Sequence, residues 1–133
     1  MKKIDIKRTI LICFFLSLFV IGTFLIFTTP TSVKVTYNQT VETSDGETIS
    51  FNVFEPIQGE KKKKAVIIGH GIMANKEFLK GYAIELACAG FVAVPFDFRG
   101  HGQSSGQLDY TKLVNDVKAI KAYLYSRGDI DMD

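Results

Sequence analysis

The sequence predicts an α/β fold over residues 31–133, preceded by one membrane-spanning helix. Three observations carry this reading. Residues 9–29 hold no charged side chain. Two alternating runs of apolar and polar residues meet at Ser44-Asp45-Gly46. Beyond them, two short unbroken apolar runs, residues 65–68 and 91–94, flank a stretch with helical periodicity.

The charge-free run is long enough to cross a bilayer, since about 20 apolar residues at roughly 1.5 Å each span the hydrocarbon. A cleavable signal peptide has a shorter apolar region and a small-residue cleavage site. Here the run is longer, TFLIFTTPTS offers no A-x-A, and Ile12 before Cys13 is too bulky for a lipoprotein site. Lys2, Lys3, Lys7 and Arg8 flank one side and only Lys34 lies close on the other. The positive-inside rule then puts residues 1–8 in the cytoplasm, 9–29 in the membrane in contact with lipid, and 31–133 outside.

Val33, Val35 and Tyr37 alternate with polar residues, and Val41 continues the phase. Ile49, Phe51 and Val53 alternate again after the Asp-Gly turn, so the two runs form a half-exposed antiparallel hairpin. Residues 58–64, with four consecutive lysines, read as a solvated connection. Anionic lipid is their alternative contact.

Unbroken apolar runs bounded by glycine suit strands buried on both faces of a parallel sheet. Between the two runs, Asn75 is an N-cap and Phe78, Leu79, Tyr82, Ala83, Leu86 and Ala87 form a helical stripe, with Gly90 at C′. Asp109 would cap a second helix with Leu113, Val117, Ile120 and Leu124 on one stripe and Gly128 at its end. Hairpin, strand, helix, strand, helix implies a right-handed crossover and a layered α/β architecture.

Composition excludes other classes. The chain carries 16 Lys+Arg and 14 Asp+Glu, net +2. Four of those bases and one acid lie before residue 31, which leaves residues 31–133 slightly acidic. No basic face remains for nucleic acid. Cys13 sits in the apolar run, and Cys88, among small apolar neighbours, reads as a buried hydrophobe with no basic group to activate it. His70 and His101 are far apart, and no metal-ligand spacing or cofactor is implied.

The chemistry-bearing loops come after the two apolar strands, at the edge where open α/β sheets bind ligands. The first is Gly69-His70-Gly71-Ile72-Met73-Ala74-Asn75 and the second Asp97-Phe98-Arg99-Gly100-His101-Gly102-Gln103-Ser104. Gly69-x-Gly71-x-x-Ala74 fits a dinucleotide fingerprint with Asp97 as a late acid. His70-Gly71-Ile72 equally fits an oxyanion turn, with a backbone N–H aimed at a developing negative charge.

Taken with the first loop, Asp97-x-Arg99-Gly100-x-Gly102-x-Ser104 resembles the α/β-hydrolase family, in its lipase, esterase and serine-aminopeptidase-like branch. The resemblance covers residues 33–133, the N-terminal part of the hydrolase sheet, hairpin included. It implies hydrolysis of ester, amide or peptide bonds through an acyl-enzyme, with the Ile72 N–H as one oxyanion donor and Gly71 permitting close approach. It makes His70 a structural brace, and Asp97, Arg99, Gly100, Gly102 and Ser104 the frame of the second loop, held by internal hydrogen bonds and a buried Asp–Arg pair. His101, between glycines, is solvated or structural, with substrate contact as its alternative.

Ser104 and Ser105 lack the strand–turn–helix elbow of a nucleophile, and no G-x-S-x-G occurs in the chain. In the family's order Ser, Asp or Glu, then His, all three would come after Asp133. Residues 128–133 look like the approach to the fifth strand, which lies beside residues 65–69 in that fold. The expectation is a truncated hydrolase, inactive alone, completed by a second chain or dimerised through strand 65–69. A non-catalytic anchored binding module and a dinucleotide-binding fragment are the alternatives.

Overall fold

A computed structural model describes residues 6–28 and 30–131. Lys2, Lys3 and the final Met132-Asp133 lie outside the described residues. The first element, α1 (Ile6–Phe27), is a helix of 22 residues, about 33 Å long. It begins before the uncharged run because Lys7 and Arg8 are good helix formers. Ser17 and Thr23 donate back to the carbonyls of Phe14 and Phe19, so these two hydroxyls are satisfied within the helix. Its apolar side chains find no core: Phe19 is 72% exposed. The helix is long and apolar enough to cross a membrane.

The remainder is an α/β layer structure. Strands β1 (Val33–Glu42), β2 (Thr48–Pro56), β3 (Ala65–Gly69) and β4 (Val92–Phe96) form one sheet in the order β1-β2-β4-β3. The hairpin β1–β2 is antiparallel, β2 runs antiparallel to β4, and β4 runs parallel to β3. Helix α2 (Lys80–Cys88) covers one face and α3 (Leu113–Ser126) the other.

The hairpin turns where the sequence places it. Thr43 donates to the Glu47 carbonyl while its hydroxyl accepts from the Glu47 N–H, and Gly46 supplies the required φ of +87°. One feature of β1 escapes the alternation rule. The register shifts between Thr36 and Gln39. Asn38, at φ +52°, forms this bulge, and its N–H donates to the Asn52 side chain. One extra residue inverts the phase. Val33 and Val35 therefore pack under α2, whereas Val41 packs in the cluster under α3 instead of continuing their face.

Of the expected half-exposed hairpin, β1 is largely exposed but β2 is not. Strand β2 is buried along nearly its whole length, because it is an interior strand with neighbours on both sides. Conversely, of the two unbroken apolar strands only β4 is buried throughout; β3 is half-buried because β4 flanks it on one side only. Just before β3, Lys63 makes an isolated parallel bridge to Ile130. There Lys63 donates to the Asp129 carbonyl and Asp131 to the Lys63 carbonyl.

Both helical stripes are rotated from their expected positions. Asn75 does cap a helical start, accepting from the Glu77 N–H, but the first turn, Lys76–Leu79, is a 3-10 helix. Three residues per turn instead of 3.6 shifts the phase of the α-helical residues after it. The buried face of α2 is Ala83, Ile84 and Ala87, and Phe78 and Tyr82 face solvent. Gly90, at φ +96°, ends the segment, and Cys88 is exposed, not buried. Asp109 does not cap α3. It closes a turn by accepting from the N–H and hydroxyl of Thr111, and α3 begins three residues later than a cap at Asp109 would give. Its buried face includes Asp116 beside Ala119, Ile120 and Leu124, while Val117 turns outward.

Candidate active site

Parallel pairing sets Gly69 opposite Phe96, so the loops after β3 and β4 leave the sheet side by side. The Phe98 ring lies over Gly69, where a Cβ would come within 3.0 Å of it. A Cβ at Gly71 would meet nothing within 4 Å, so the space above that glycine is open.

The first loop is a β-turn over residues 71–74, closed by the Ala74 N–H on the Gly71 carbonyl at 3.1 Å. The same carbonyl accepts from His70 Nδ1 at 2.8 Å. His70 Nε2 in turn accepts from the Phe98 N–H at 3.2 Å, so the ring is the neutral Nδ1–H tautomer and ties the two loops together. Because a trans peptide is planar, pinning the Gly71 oxygen with two donors also fixes the Ile72 N–H, which points the opposite way. Among the described residues none accepts from that N–H.

The second loop is framed by buried charge. Asp97, fully buried, accepts from the Lys76 N–H at 2.7 Å, Lys76 Nζ at 2.8 Å and the Gln103 N–H at 2.9 Å. Lys76 is itself 2% exposed and also reaches Gln103 Oε1 at 3.0 Å. Arg99 lies among the fully buried side chains. It donates to Asp116 through its backbone N–H, Nε and Nη2, and to Asp45 through Nη1 and Nη2. This guanidinium holds the Asp45 carboxyl well below the usual carboxylate range. The expected Asp97–Arg99 pair is therefore replaced by two separate pairs. Asp97 binds the first loop's helical turn, and Arg99 binds α3 and the hairpin turn.

Gly100 and Gly102 take φ of +73° and +51°. A Cβ on Gly102 would sit 2.2 Å from an Asp97 oxygen, and one on Gly100 would sit 2.5 Å from the Leu108 nitrogen. Ser104 Oγ donates to the Asp97 carbonyl and accepts from the Ser50 N–H. Ser105 Oγ donates to Glu47 and accepts from the Thr48 N–H. Both hydroxyls stitch the loop to β2, and neither bonds a histidine. His101 bridges the loops through contacts to the Ile72 and Arg99 carbonyls. Among the described residues no acidic, histidine or cysteine cluster could hold a metal ion.

Sequence reasoning missed Lys76, Gln103, Asp45 and Asp116. A signal existed for Lys76. A cation in the first turn of a helical segment opposes the helix dipole, so its placement needs another cause. An acid at the end of a buried strand supplies one.

No protein-family model matches the chain, and no curated protein matches it. Solved structures do. A hypothetical protein from Pseudomonas aeruginosa superposes with a TM-score of 0.71 at 24% identity, over 79% of this chain and 34% of its own. An esterase of Pyrococcus furiosus matches at 0.62 and 23%, over 74% and 39%. Brefeldin A esterase, a bacterial homologue of human hormone-sensitive lipase, matches at 0.60 and 23%, over 77% and 30%. The fold is that of part of an α/β-hydrolase sheet, and the chain spans about a third of the length of these structures.

Proposed function

We propose that this chain supplies the oxyanion side of a membrane-anchored α/β-hydrolase-type enzyme that cleaves ester, amide or peptide bonds. The observation that carries the reading is the Gly71–Ile72 peptide. It sits at the C-terminal edge of the sheet beneath open space, its carbonyl held by two donors and its N–H uncommitted. Such a preorganised donor is what a developing oxyanion requires. The dinucleotide alternative loses its acid, since every Asp97 oxygen is already taken by loop donors or Lys76.

The nucleophile, acid and base would come from polypeptide that extends the sheet beyond β3. The isolated parallel bridge between Lys63 and Ile130, just before β3, supports that placement. By itself the chain is inactive on this reading. With α1 as an uncleaved anchor, the basic flank keeps the N-terminus cytoplasmic and puts the α/β part outside.

Two experiments test this. Residues 1–133 should show no fluorophosphonate labelling and no hydrolysis of p-nitrophenyl esters. Joining or co-expressing the polypeptide encoded directly downstream should restore both. Labelling of the chain alone, or a joined product with no activity, overturns the reading. Protease added to intact cells should digest the α/β part; digestion only after lysis reverses the orientation.

A further inference from the structure

The sequence admits solvation, structure or substrate contact for His101, and its two ring nitrogens decide among them. Nε2 lies 2.9 Å from the Ile72 carbonyl oxygen, across from the first loop. Nδ1 lies 3.2 Å from the Arg99 carbonyl oxygen. Both partners are pure acceptors, so each contact needs an N–H on the ring. A neutral imidazole has only one, and the imidazolium has two. We propose that His101 is a positioning residue: as imidazolium it clamps the Ile72–Met73 peptide to the second loop and thereby sets the oxyanion turn. This rests on the hydrolase reading of the chain.

The two histidines divide the work. His70 fixes the Gly71–Ile72 peptide through the Gly71 oxygen. His101 fixes the next peptide through the Ile72 oxygen. Together they hold both peptides on either side of Ile72, at the exposed tip of a β-turn that otherwise has one cross-turn hydrogen bond. The rings lie 5.1 Å apart, but only His101 has a use for a second proton, because His70 Nε2 is already an acceptor.

Among the described residues, no carboxylate lines the small cavity beside His101. The small cavity of about 110 Å³ beside it brings His70 from the first loop and Tyr110 from the segment before α3 as its titratable neighbours. On its own loop, Arg99 is engaged by Asp45 and Asp116, and Asp97 is engaged by Lys76 of the 3-10 turn. Loss of the proton from Nδ1 leaves the Ile72 contact but turns a lone pair on the Arg99 oxygen. Loss from Nε2 breaks the clamp. The turn is thus held most firmly when both ring nitrogens carry protons.

The chain has two histidines, so ring-nitrogen spectra are simple. The test uses the full chain, labelled with ¹⁵N-histidine and ¹³C-isoleucine, in lipid bilayers, read by magic-angle-spinning NMR. His70 should show the Nδ1–H form with Nε2 bare. His101 should show two protonated nitrogens, and the Ile72 carbonyl shift should report a bond from Nε2–H. In His101→Gln the Ile72 carbonyl should stay bonded, to the Gln amide. In His101→Ala the Ala74 amide, which closes the turn on the Gly71 carbonyl, should exchange at least about tenfold faster, as for one lost hydrogen bond.

An Ile72 carbonyl indifferent to His101→Ala, or a His101 with bare Nε2, would overturn the clamp. These readouts need no catalysis. A joined enzyme without activity defeats the hydrolase reading and leaves them unchanged, and a failed clamp leaves that activity unchanged.

Discussion

Lys76 and Asp97 meet at 2.8 Å with their side chains 2% and 0% exposed. The pair joins the start of the helical turn after the first loop to the root of the second. Removing one partner strands the other charge out of water, which costs about 3–5 kcal/mol. Lys76→Met should therefore lower the melting temperature sharply, and adding Asp97→Asn should recover part of the loss. Thermal melts of the full chain in detergent check this, and additive losses would show that the charges do not depend on each other.

The glycines of the second loop should respond in the opposite sense to a helical one. Gly102→Ala combines a φ of +51° with a Cβ contact of 2.2 Å to a side chain that is itself locked, so it should destabilise strongly. Gly81 lies inside α2 with nothing within 4 Å of an added Cβ. Gly81→Ala should stabilise by up to about 1 kcal/mol, the helix-propensity difference. Paired denaturant titrations distinguish the two signs.

Acid should loosen the loop anchors in a defined window. Asp129 is lowered from 3.8 to about 2 by its hydrogen bond from Arg127, and Asp45 lies lower still beneath Arg99. A carboxyl whose folded pKa is depressed contributes stability fully above its unfolded value, and the contribution is lost as pH falls toward the folded value. The melting temperature should hold above about pH 5, where unfolded carboxyls are ionised, and fall as pH drops through about 4 toward 2. Arg127→Gln should flatten part of that fall, and an unchanged slope would remove Asp129 as a cause.

The outer side of β3 should make the chain self-associate. It has no proline or charge to guard it, and such edges recruit other strands. Leaving a few hundred Å² of apolar surface uncovered forfeits several kcal/mol, at about 25 cal/mol per Å². Cross-linking in detergent should trap dimers or larger species through residues 65–69, and a supplied strand in register with the Lys63–Ile130 bridge should dissolve them. A monomer with a sharp cooperative melt would count against this.

The features legible in the sequence are local ones. The Asp45-Gly46 turn, the Asn75 cap and Gly90 each depend on a few neighbouring residues, and each appears where the pattern places it. The features that escaped depend on tertiary partners. The Asn38 bulge rests on Asn52 across the hairpin, and the burial of Asp116 in α3 rests on Arg99 in the second loop. The two loops were legible as motifs. Their actual cross-links, Lys76 to Asp97 and His101 to Ile72, join positions that no short pattern connects.

The interior position of β2 also sets a clock. Its partner β4 is made later, with Phe51 waiting to face Phe96. At ribosomal rates of about 5–20 residues per second, Phe96 emerges after Phe51 by roughly two to nine seconds. Throughout that interval β2, a strand buried along nearly its whole length in the finished sheet, is synthesised, tethered behind α1 and unclaimed on one side. The newborn hairpin is thus a substrate for chaperones before it is part of any sheet, and slowing translation between residues 56 and 92 should lengthen its capture.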